Sequence, residues 1–248
     1  MTSVNVKIER ALEEDIKRHI LYHPTLFGNL GHANVVFEKA ITNHEVIADC
    51  LIFSELKGII GVEIKTERDT TKRLNKQLKA YSSMCHFVWV MCHDKHVQKV
   101  ESIVKKYNHK NVGIISYTIY DGGVIAGVYE EANTSPNFEP AQVLNLLWKK
   151  ELLDIARALK NGSMVTRVKT NYVKDNYLGS SMTPNMRKPQ LIRWLLQTMG
   201  TRGAVDAVCD KFRLEMTDPE KVIQYHYFKK GENLNEEIKS IFVKQDRG

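Results

Sequence analysis

The chain has 248 residues, 43% of them hydrophobic and 26% charged, which is typical of a globular protein and excludes a disordered or collagen-like one. No apolar run approaches the roughly 18 residues that cross a bilayer, and Met1 to Arg10 lacks a signal-peptide core. We therefore expect a cytoplasmic protein with no membrane partner. The net charge of +7 favours an acidic partner such as nucleic acid.

The first third of the chain predicts one helix followed by three strands. Apolar residues at four-residue spacing predict an amphipathic helix over 6–22. The apolar run Asn34 to Ile41 fits a strand or a helical turn, and we favour the strand. Val46 to Phe53 and Ile59 to Lys65 are rich in strand-forming residues, and the five residues between them suit a hairpin loop.

The period then becomes helical over 66–83, and strands and helices alternate further along. The remaining strand-like runs are Phe87 to Cys92, Val112 to Thr118 and Val124 to Tyr129, with a helix at His96 to Tyr107 between the first two. This order predicts an α/β fold with a mixed central sheet flanked by helices. Two prolines in 134–140 predict a boundary between a core over 1–133 and a helical region over 141–248.

Basic residues concentrate in the second region. Residues 161–213 hold nine basic and three acidic side chains, a net charge of +6. Such a stretch can neutralise phosphates, and we expect Arg187, Lys188 and Arg193 to bind nucleic acid. The alternative is an ordinary solvated helical surface.

Three ionisable residues converge if the hairpin pairs Phe53 with Ile59. Asp49 then lies opposite Glu63, with Cβ atoms within about 5 Å of each other. Lys65 shares the face of Glu63, because side chains alternate along a strand. Two facing carboxylates repel unless a cation neutralises them, and hard oxygen ligands suit Mg²⁺ or Mn²⁺.

An exposed hairpin with a cross-strand salt bridge would explain the same three residues without any chemistry. Such surface ion pairs contribute only ~0 to 1 kcal/mol to stability. The residues around the trio are needed to choose between a salt bridge and a metal site.

The surrounding sequence resembles the PD-(D/E)XK nuclease superfamily. The resemblance is to its RecB-like branch with a QxxxY helix, and it covers roughly residues 35–155. It rests on Ile47 to Asp49, Gly61-Val62-Glu63-Ile64-Lys65 and Gln77-Leu78-Lys79-Ala80-Tyr81. A little-characterised family of bacterial and phage proteins assigned to that superfamily is similar through further residues, namely Thr66, Asp69-Thr70, Arg73-Leu74, Leu146-Leu147-Trp148 and Glu151. Ala48 stands where the superfamily motif has proline.

The resemblance implies a restriction-endonuclease-like core that hydrolyses phosphodiester bonds of nucleic acid with Mg²⁺ or Mn²⁺. The sequence leaves DNA and RNA open as substrates, and we favour DNA. Asp49 and Glu63 would bind the metal, with the Ile64 carbonyl as a third ligand. Lys65 would be the catalytic lysine. Gln77 would contact phosphate or a metal-bound water.

Other residues are assigned with named alternatives. Glu38 is the best match for an upstream acidic residue, and the rivals on the first helix are Glu9, Glu13 and Glu14. Arg73 and Tyr81 would contact nucleic acid, although Tyr81 could instead pack beside its helix neighbours.

The alternative to a nuclease is a protein on the same scaffold that binds nucleic acid or another protein without cutting. In either case the C-terminal helices would offer a surface for a homodimer or a protein partner.

Overall fold

The computed structural model describes residues 12–42, 45–160, 185–215 and 225–228. The helices are α1 (Glu13–Tyr22), α2 (Leu74–Met84), α3 (Val97–Lys106), α4 (Pro140–Asn145), α5 (Lys149–Lys160) and α6 (Lys188–Asp210). The strands are β1 (Ala33–Ile41), β2 (Val46–Ser54), β3 (Gly58–Lys65), β4 (Phe87–His93), β5 (Val112–Tyr120), β6 (Gly123–Glu130) and β7 (Tyr225–Phe228). Short 3₁₀ turns lie at Pro24–Phe27 and Asp94–His96, and a π-helical turn follows α6 at Lys211–Glu215.

The strands form one mixed sheet in the order β6-β5-β4-β3-β2-β1-β7. β3 pairs in parallel with β4, and β4 with β5, while the remaining neighbours are antiparallel. The parallel connections pass through α2 and α3, as a parallel crossover requires. The predicted α/β fold with a mixed sheet flanked by helices is confirmed.

Each face of the sheet carries its own hydrophobic cluster. On one face, Ile16 and Ile20 of α1 pack with strand residues that include Val62 and Ile64. The opposite face packs against α2, α3 and the C-terminal helices. The two faces of β3 thus lie in different surroundings, which fixes the direction of every side chain on that strand.

The C-terminal helices share the core of the sheet. Leu144 of α4 and Val208 of α6 belong to the same buried cluster as Val90 of β4. The segment between the two predicted regions is also held in place, because the Ser135 N–H donates to the His86 carbonyl over 2.8 Å. The prediction of an appended helical region therefore differs from the structure, in which these helices cover one face of the sheet.

Local hydrogen bonds explain where the helices differ from the predicted ones. α2 begins later than position 66 because the Asp69 carboxylate accepts from both the N–H and the hydroxyl of Thr66 over 2.7 Å, which stabilises a turn instead. The start of the predicted helical region is divided into α4 and α5, and α5 begins where the Trp148 N–H donates to Glu151 Oε2 over 2.6 Å. Gly200, with φ +70°, kinks α6.

Within the described ranges, no helix has the length and apolar character needed to cross a bilayer. All four cysteines are free and buried.

Candidate active site

The hairpin of β2 and β3 has the predicted register. Phe53 pairs with Ile59, and the ladder continues to Cys50 and Val62. Asp49 and Glu63 come directly after this last pair. Beyond that point β3 continues in its parallel ladder with β4 as far as Lys65. The two carboxylates thus lie where β2 and β3 stop pairing.

The alternation of side chains reverses in β2 beside Asp49. Ala48 and Leu51 belong to the same cluster, on the face covered by α2, whereas Cys50 belongs to the other. Residues three apart cannot share a face of a regular strand. The backbone is therefore irregular at the predicted metal ligand, as is common beside active sites.

Glu63 and Lys65 meet on the α2 face, and Asp49 binds the adjoining backbone. Lys65 Nζ donates to Glu63 Oε1 over 2.5 Å. The Ile64 N–H donates to Asp49 Oδ2 over 2.8 Å. Glu63 Oε2 is buried and has no hydrogen-bond partner among the described residues. The alternative of an exposed hairpin is wrong, since Glu63 is 0% exposed and Lys65 only 7%.

Burial changes the acidity of both carboxyl groups. Burial and the charge of Glu63 raise the pKa of Asp49 from 3.8 to about 7, although the Ile64 N–H and Lys65 oppose this. Burial also raises the pKa of Glu63, against the opposing effect of Lys65. The pair therefore holds protons more strongly than exposed carboxyls do.

Tyr81 connects the two strands where their ladder ends. Its hydroxyl accepts from the Asp49 N–H over 2.8 Å and lies 3.3 Å from the Val62 carbonyl, to which it donates. The ring is 0% exposed. The expected contact of Tyr81 with nucleic acid is therefore wrong, and we assign Tyr81 as a positioning residue for Asp49. The alternative, in which Tyr81 packs beside its helix neighbours, agrees with the burial of its ring.

Gly61 provides the space that Tyr81 occupies. A Cβ atom at position 61 would lie 2.2 Å from Tyr81 Cδ1 and 2.8 Å from Cys85 Sγ. The glycine of the Gly61-Val62-Glu63 run is thus needed for packing rather than for an unusual backbone conformation.

We expect Gly61→Ala to destabilise the fold by about 1–3 kcal/mol, because neither buried neighbour can move without disturbing the core. Thermal unfolding measures this effect, and Gly127→Ala is the matched control, since a Cβ atom there meets nothing within 4 Å. Equal melting temperatures for the two variants would contradict the proposed packing role of Gly61.

Three further predicted site residues, Gln77, Arg73 and Glu38, lie on or beside α2 and on β1. Gln77 lies one helical turn before Tyr81, and its buried Oε1 has no hydrogen-bond partner among the described residues. Arg73 is exposed at the N-cap of α2. Glu38 and Asp49 lie between the pairs Phe37–Cys50 and Lys39–Ala48 of β1 and β2. The Glu38 carboxylate, however, binds Lys17 Nζ at 2.6 Å.

The predicted C-terminal binding residues lie at the start of α6. Arg187 and Arg193 are exposed. Lys188 is half-buried, and its Nζ donates to the Asn145 carbonyl over 2.9 Å, so its ammonium stabilises the end of α4. The prediction that Lys188 binds phosphate is therefore weakened. The basic stretch over 161–213 also contains Arg167, Lys169 and Lys174, which lie outside the described residues.

The residues present fit a divalent cation. The described residues contain no group of three or more His, Cys, Asp or Glu side chains arranged around one metal position. Asp49 and Glu63 nevertheless supply two carboxylates, one with an unpartnered buried oxygen. Backbone N–H and C=O groups of one strand residue point the same way, so the Ile64 carbonyl should face Asp49 as the Ile64 N–H does.

The sequence gives only weak signals for two further residues near the site. Lys17 is spaced four from Glu13 and three from Glu14, as in helical ion pairs, but this spacing does not show its contact with Glu38. Gly61 is part of the motif that carries the resemblance, and its packing role is not visible in the sequence. The small size of Gly61 could have indicated a close neighbour on the α2 face, but not which one.

Fold and site together define a mixed α/β protein with a buried carboxylate and lysine cluster at the end of its central hairpin. The family described as Bacteriophage P4 protein cII matches residues 7–200. The chain belongs to this family.

Protein cII of Enterobacteria phage P4 is 25% identical over 143 residues, which are 58% of this chain and 52% of that protein. The chain thus matches about half the length of this relative. Among solved structures, SPO1766, a protein of unknown function from Silicibacter pomeroyi, has a TM-score of 0.36 and 15% identity, covering 64% of this chain and 96% of its own. A likeness at this level carries no argument about function.

Proposed function

We propose that the protein is a metal-dependent nuclease that hydrolyses phosphodiester bonds, with DNA as its substrate in preference to RNA. The observation that carries the proposal is the convergence of Asp49, Glu63 and Lys65 at the end of the β2–β3 ladder, with Glu63 Oε2 buried and unpartnered among the described residues. A buried acceptor without a partner is costly, so a site that leaves one is suited to a cation.

Asp49 and Glu63 would hold Mg²⁺ or Mn²⁺, with the Ile64 carbonyl as a third ligand. When bound, the cation would polarise a phosphoryl oxygen and make water more acidic. Lys65 has three ammonium protons and donates one to Glu63, so two remain to orient the attacking water or bind the phosphate. Water would form the new P–O bond as the bond from phosphorus to the leaving oxygen breaks, and the proton lost by the water would balance the proton gained by the leaving oxygen.

The supporting residues would orient the substrate and the ligands. Gln77 offers a buried amide oxygen on the Tyr81 face of α2, where it can accept from a bound water. Arg73, Arg187 and Arg193 would bind the phosphate backbone of DNA. We also propose that the protein is cytoplasmic. The C-terminal helices would form the interface of a homodimer or bind a protein partner.

The test is incubation of the purified protein with single-stranded, double-stranded and branched DNA and with RNA, in Mg²⁺, Mn²⁺ or EDTA. Cleavage that needs the metal and is absent in Glu63→Gln would support the proposal. Glu63→Gln retains the shape of the buried side chain and removes its charge. The absence of cleavage across the whole panel in both metals would contradict it.

One observation favours a second function, the binding of nucleic acid or protein without cleavage. Glu63 is 0% exposed and is paired with Lys65, so phosphate can reach the site only if the surrounding side chains move. Binding in EDTA to the same substrates, with no product in Mg²⁺ or Mn²⁺, would favour this function.

We expect the double charge reversal Arg187→Glu and Arg193→Glu to weaken DNA binding and make it less sensitive to salt. Each lost phosphate contact lowers the slope of log K against log salt by about 0.9, so the slope should change by about two. Binding is measured by fluorescence anisotropy from 50 to 200 mM salt. Lys99→Glu, at an exposed position on α3, is the control, and an unchanged slope in the double variant would exclude α6 as a DNA-binding surface.

A further inference from the structure

One outer edge of the sheet is long and free in the part of the chain that the structure describes. There, β6 spans the eight residues Gly123–Glu130 and pairs only with β5, so alternate backbone N–H and C=O groups point away from the sheet. The strand contains no lysine and no proline, which commonly protect such edges. At the opposite edge, β7 has only four residues, and short edge strands are another form of protection.

The side chains of β6 differ between its two faces. Val124 and Ala126 pack against the cluster that α1 covers. Ile125 points to the opposite face, because neighbouring side chains of a strand alternate, and it is 55% exposed. A strand bound beside β6 would bury this isoleucine without disturbing the core.

A bulge limits the part of β6 that can pair. The register with β5 shifts between Ile114 and Ile115, so Tyr129 has no partner on β5. Regular pairing covers 123–128, which is about 20 Å of strand. The free edge therefore has room for a segment of about six extended residues.

The surroundings of this edge are acidic, although the chain as a whole is basic. Residues 111–148 hold four acidic residues and no Lys, Arg or His, in a chain of net charge +7. Three of the four are exposed and flank β6, namely Asp121, Glu130 and Glu131. The charge of Glu130 reaches Lys105 of α3, but that ammonium is bonded to Glu101 over 2.7 Å. Acidic ends repel phosphate, so nucleic acid does not match this edge.

A second copy of the chain does not match it either. Two antiparallel copies of β6, related by a two-fold axis at Ala126, would bring Glu131 of each copy towards Asp121 of the other. Like charges facing each other across two strands are destabilising, and the symmetry would repeat the repulsion at both ends. Lysine or arginine at the ends of a bound strand would instead form attractive pairs.

We propose that the free edge of β6 binds an extended, basic segment of a partner protein as an additional strand. The backbone of the segment hydrogen-bonds to 123–128, and an apolar side chain covers Ile125. Its basic ends pair with the acids that flank β6. The inference does not rest on the proposed nuclease, because β4 and β5 separate β6 from β3 and its carboxylate.

The test uses the full chain and a fluorescein-labelled peptide, Lys-Lys-Val-Thr-Val-Thr-Val-Thr-Lys-Lys, with capped ends. The same peptide with glutamate in place of every lysine is the control probe. Fluorescence anisotropy measures binding, and hydrogen–deuterium exchange locates it. We expect the basic peptide to bind in preference to the acidic one and to slow exchange within 123–128.

The double charge reversal Glu130→Lys and Glu131→Lys should weaken binding of the basic peptide by about tenfold, because attractive cross-strand pairs become repulsive. The same variant should bind the acidic peptide better than the wild type does, which a folding defect would not produce. Ile125→Lys should also weaken binding of the basic peptide, since a lysine protects an edge. The matched control reverses two exposed acids outside β6, Glu45→Lys and Glu139→Lys, and should bind as the wild type does.

Equal affinity for the two peptides, or no binding of either, would overturn the inference. Slower exchange only outside β6 would overturn it as well. Sedimentation velocity tests the remaining occupant. A dimer of the wild type that Ile125→Lys dissociates would assign the edge to a second copy of the chain, against the inference.

Discussion

Replacing Lys65 with Met is expected to reduce the rate of DNA cleavage by on the order of 10²- to 10³-fold, the usual effect of removing one group that stabilises developing negative charge. The same change should destabilise the fold, because it leaves the 0% exposed Glu63 carboxylate without its partner. Breaking a buried ion pair from one side costs about 3–5 kcal/mol. Cleavage rates and denaturant unfolding at pH 8 measure the two effects.

Two further variants separate chemistry from folding. Glu63→Gln combined with Lys65→Met removes both charges and should recover most of the lost stability while remaining inactive. Lys72→Met changes an exposed lysine just before α2 and should leave stability unchanged. Cleavage by Lys65→Met at the wild-type rate would contradict the assignment of Lys65 to the reaction.

Adding Mg²⁺ or Mn²⁺ at pH 8 should raise the melting temperature by several degrees. A ligand present at 100 times its dissociation constant stabilises the folded state by about 2.7 kcal/mol, and each kcal/mol corresponds to roughly 2–4 °C in a chain of this size. The metal should have no such effect on Glu63→Gln. Differential scanning fluorimetry across a pH series measures both.

The stability of the folded protein should depend on pH, because burial and the charge of Glu63 raise the pKa of Asp49 from 3.8 to about 7. A carboxyl whose pKa is raised by folding favours the folded state while protonated, and this contribution is lost as the pH rises from about 4 through about 7. The protein without metal should thus become less stable over that range. Metal binding must displace the proton, so the shift caused by the metal should grow as the pH rises through about 7.

Asp49→Asn should weaken this pH dependence, since the amide does not titrate and only the raised pKa of Glu63 then contributes. A melting temperature of the wild type that responds to Mn²⁺ equally at pH 5.5 and pH 8 would contradict the binding of Mn²⁺ in place of a proton at Asp49.

Local patterns were sufficient to predict six of the seven described strands and the convergence of the three site residues, but not β7, which lies in the region predicted to be helical. Pairing Phe53 with Ile59 across a short connection sets the register of β2 and β3, and side-chain alternation then places Lys65 beside Glu63. Both effects act between residues near each other in sequence, so they can be read without knowing the fold.

Burial of the site could not be predicted in the same way. Whether Glu63 and Lys65 face solvent depends on α2 and on the C-terminal helices, which are distant in sequence. The turn that delays α2 depends on Asp69 bonding to Thr66, and the helical periodicity of the sequence does not reveal that competition. The role of Tyr81 required the same long-range information.

The sheet and the C-terminal helices share one hydrophobic core, which limits the sequence changes and domain exchanges that the fold can tolerate. Leu144 and Val208 pack in the same cluster as Leu78 of α2, the helix that also carries Tyr81. Cutting the chain at 134–140 would uncover that cluster and loosen the helix behind Asp49. If the proposed function holds, new substrate preferences would have to arise by surface substitutions on α5 and α6, because exchanging the whole region for another module would disturb the geometry of the proposed site.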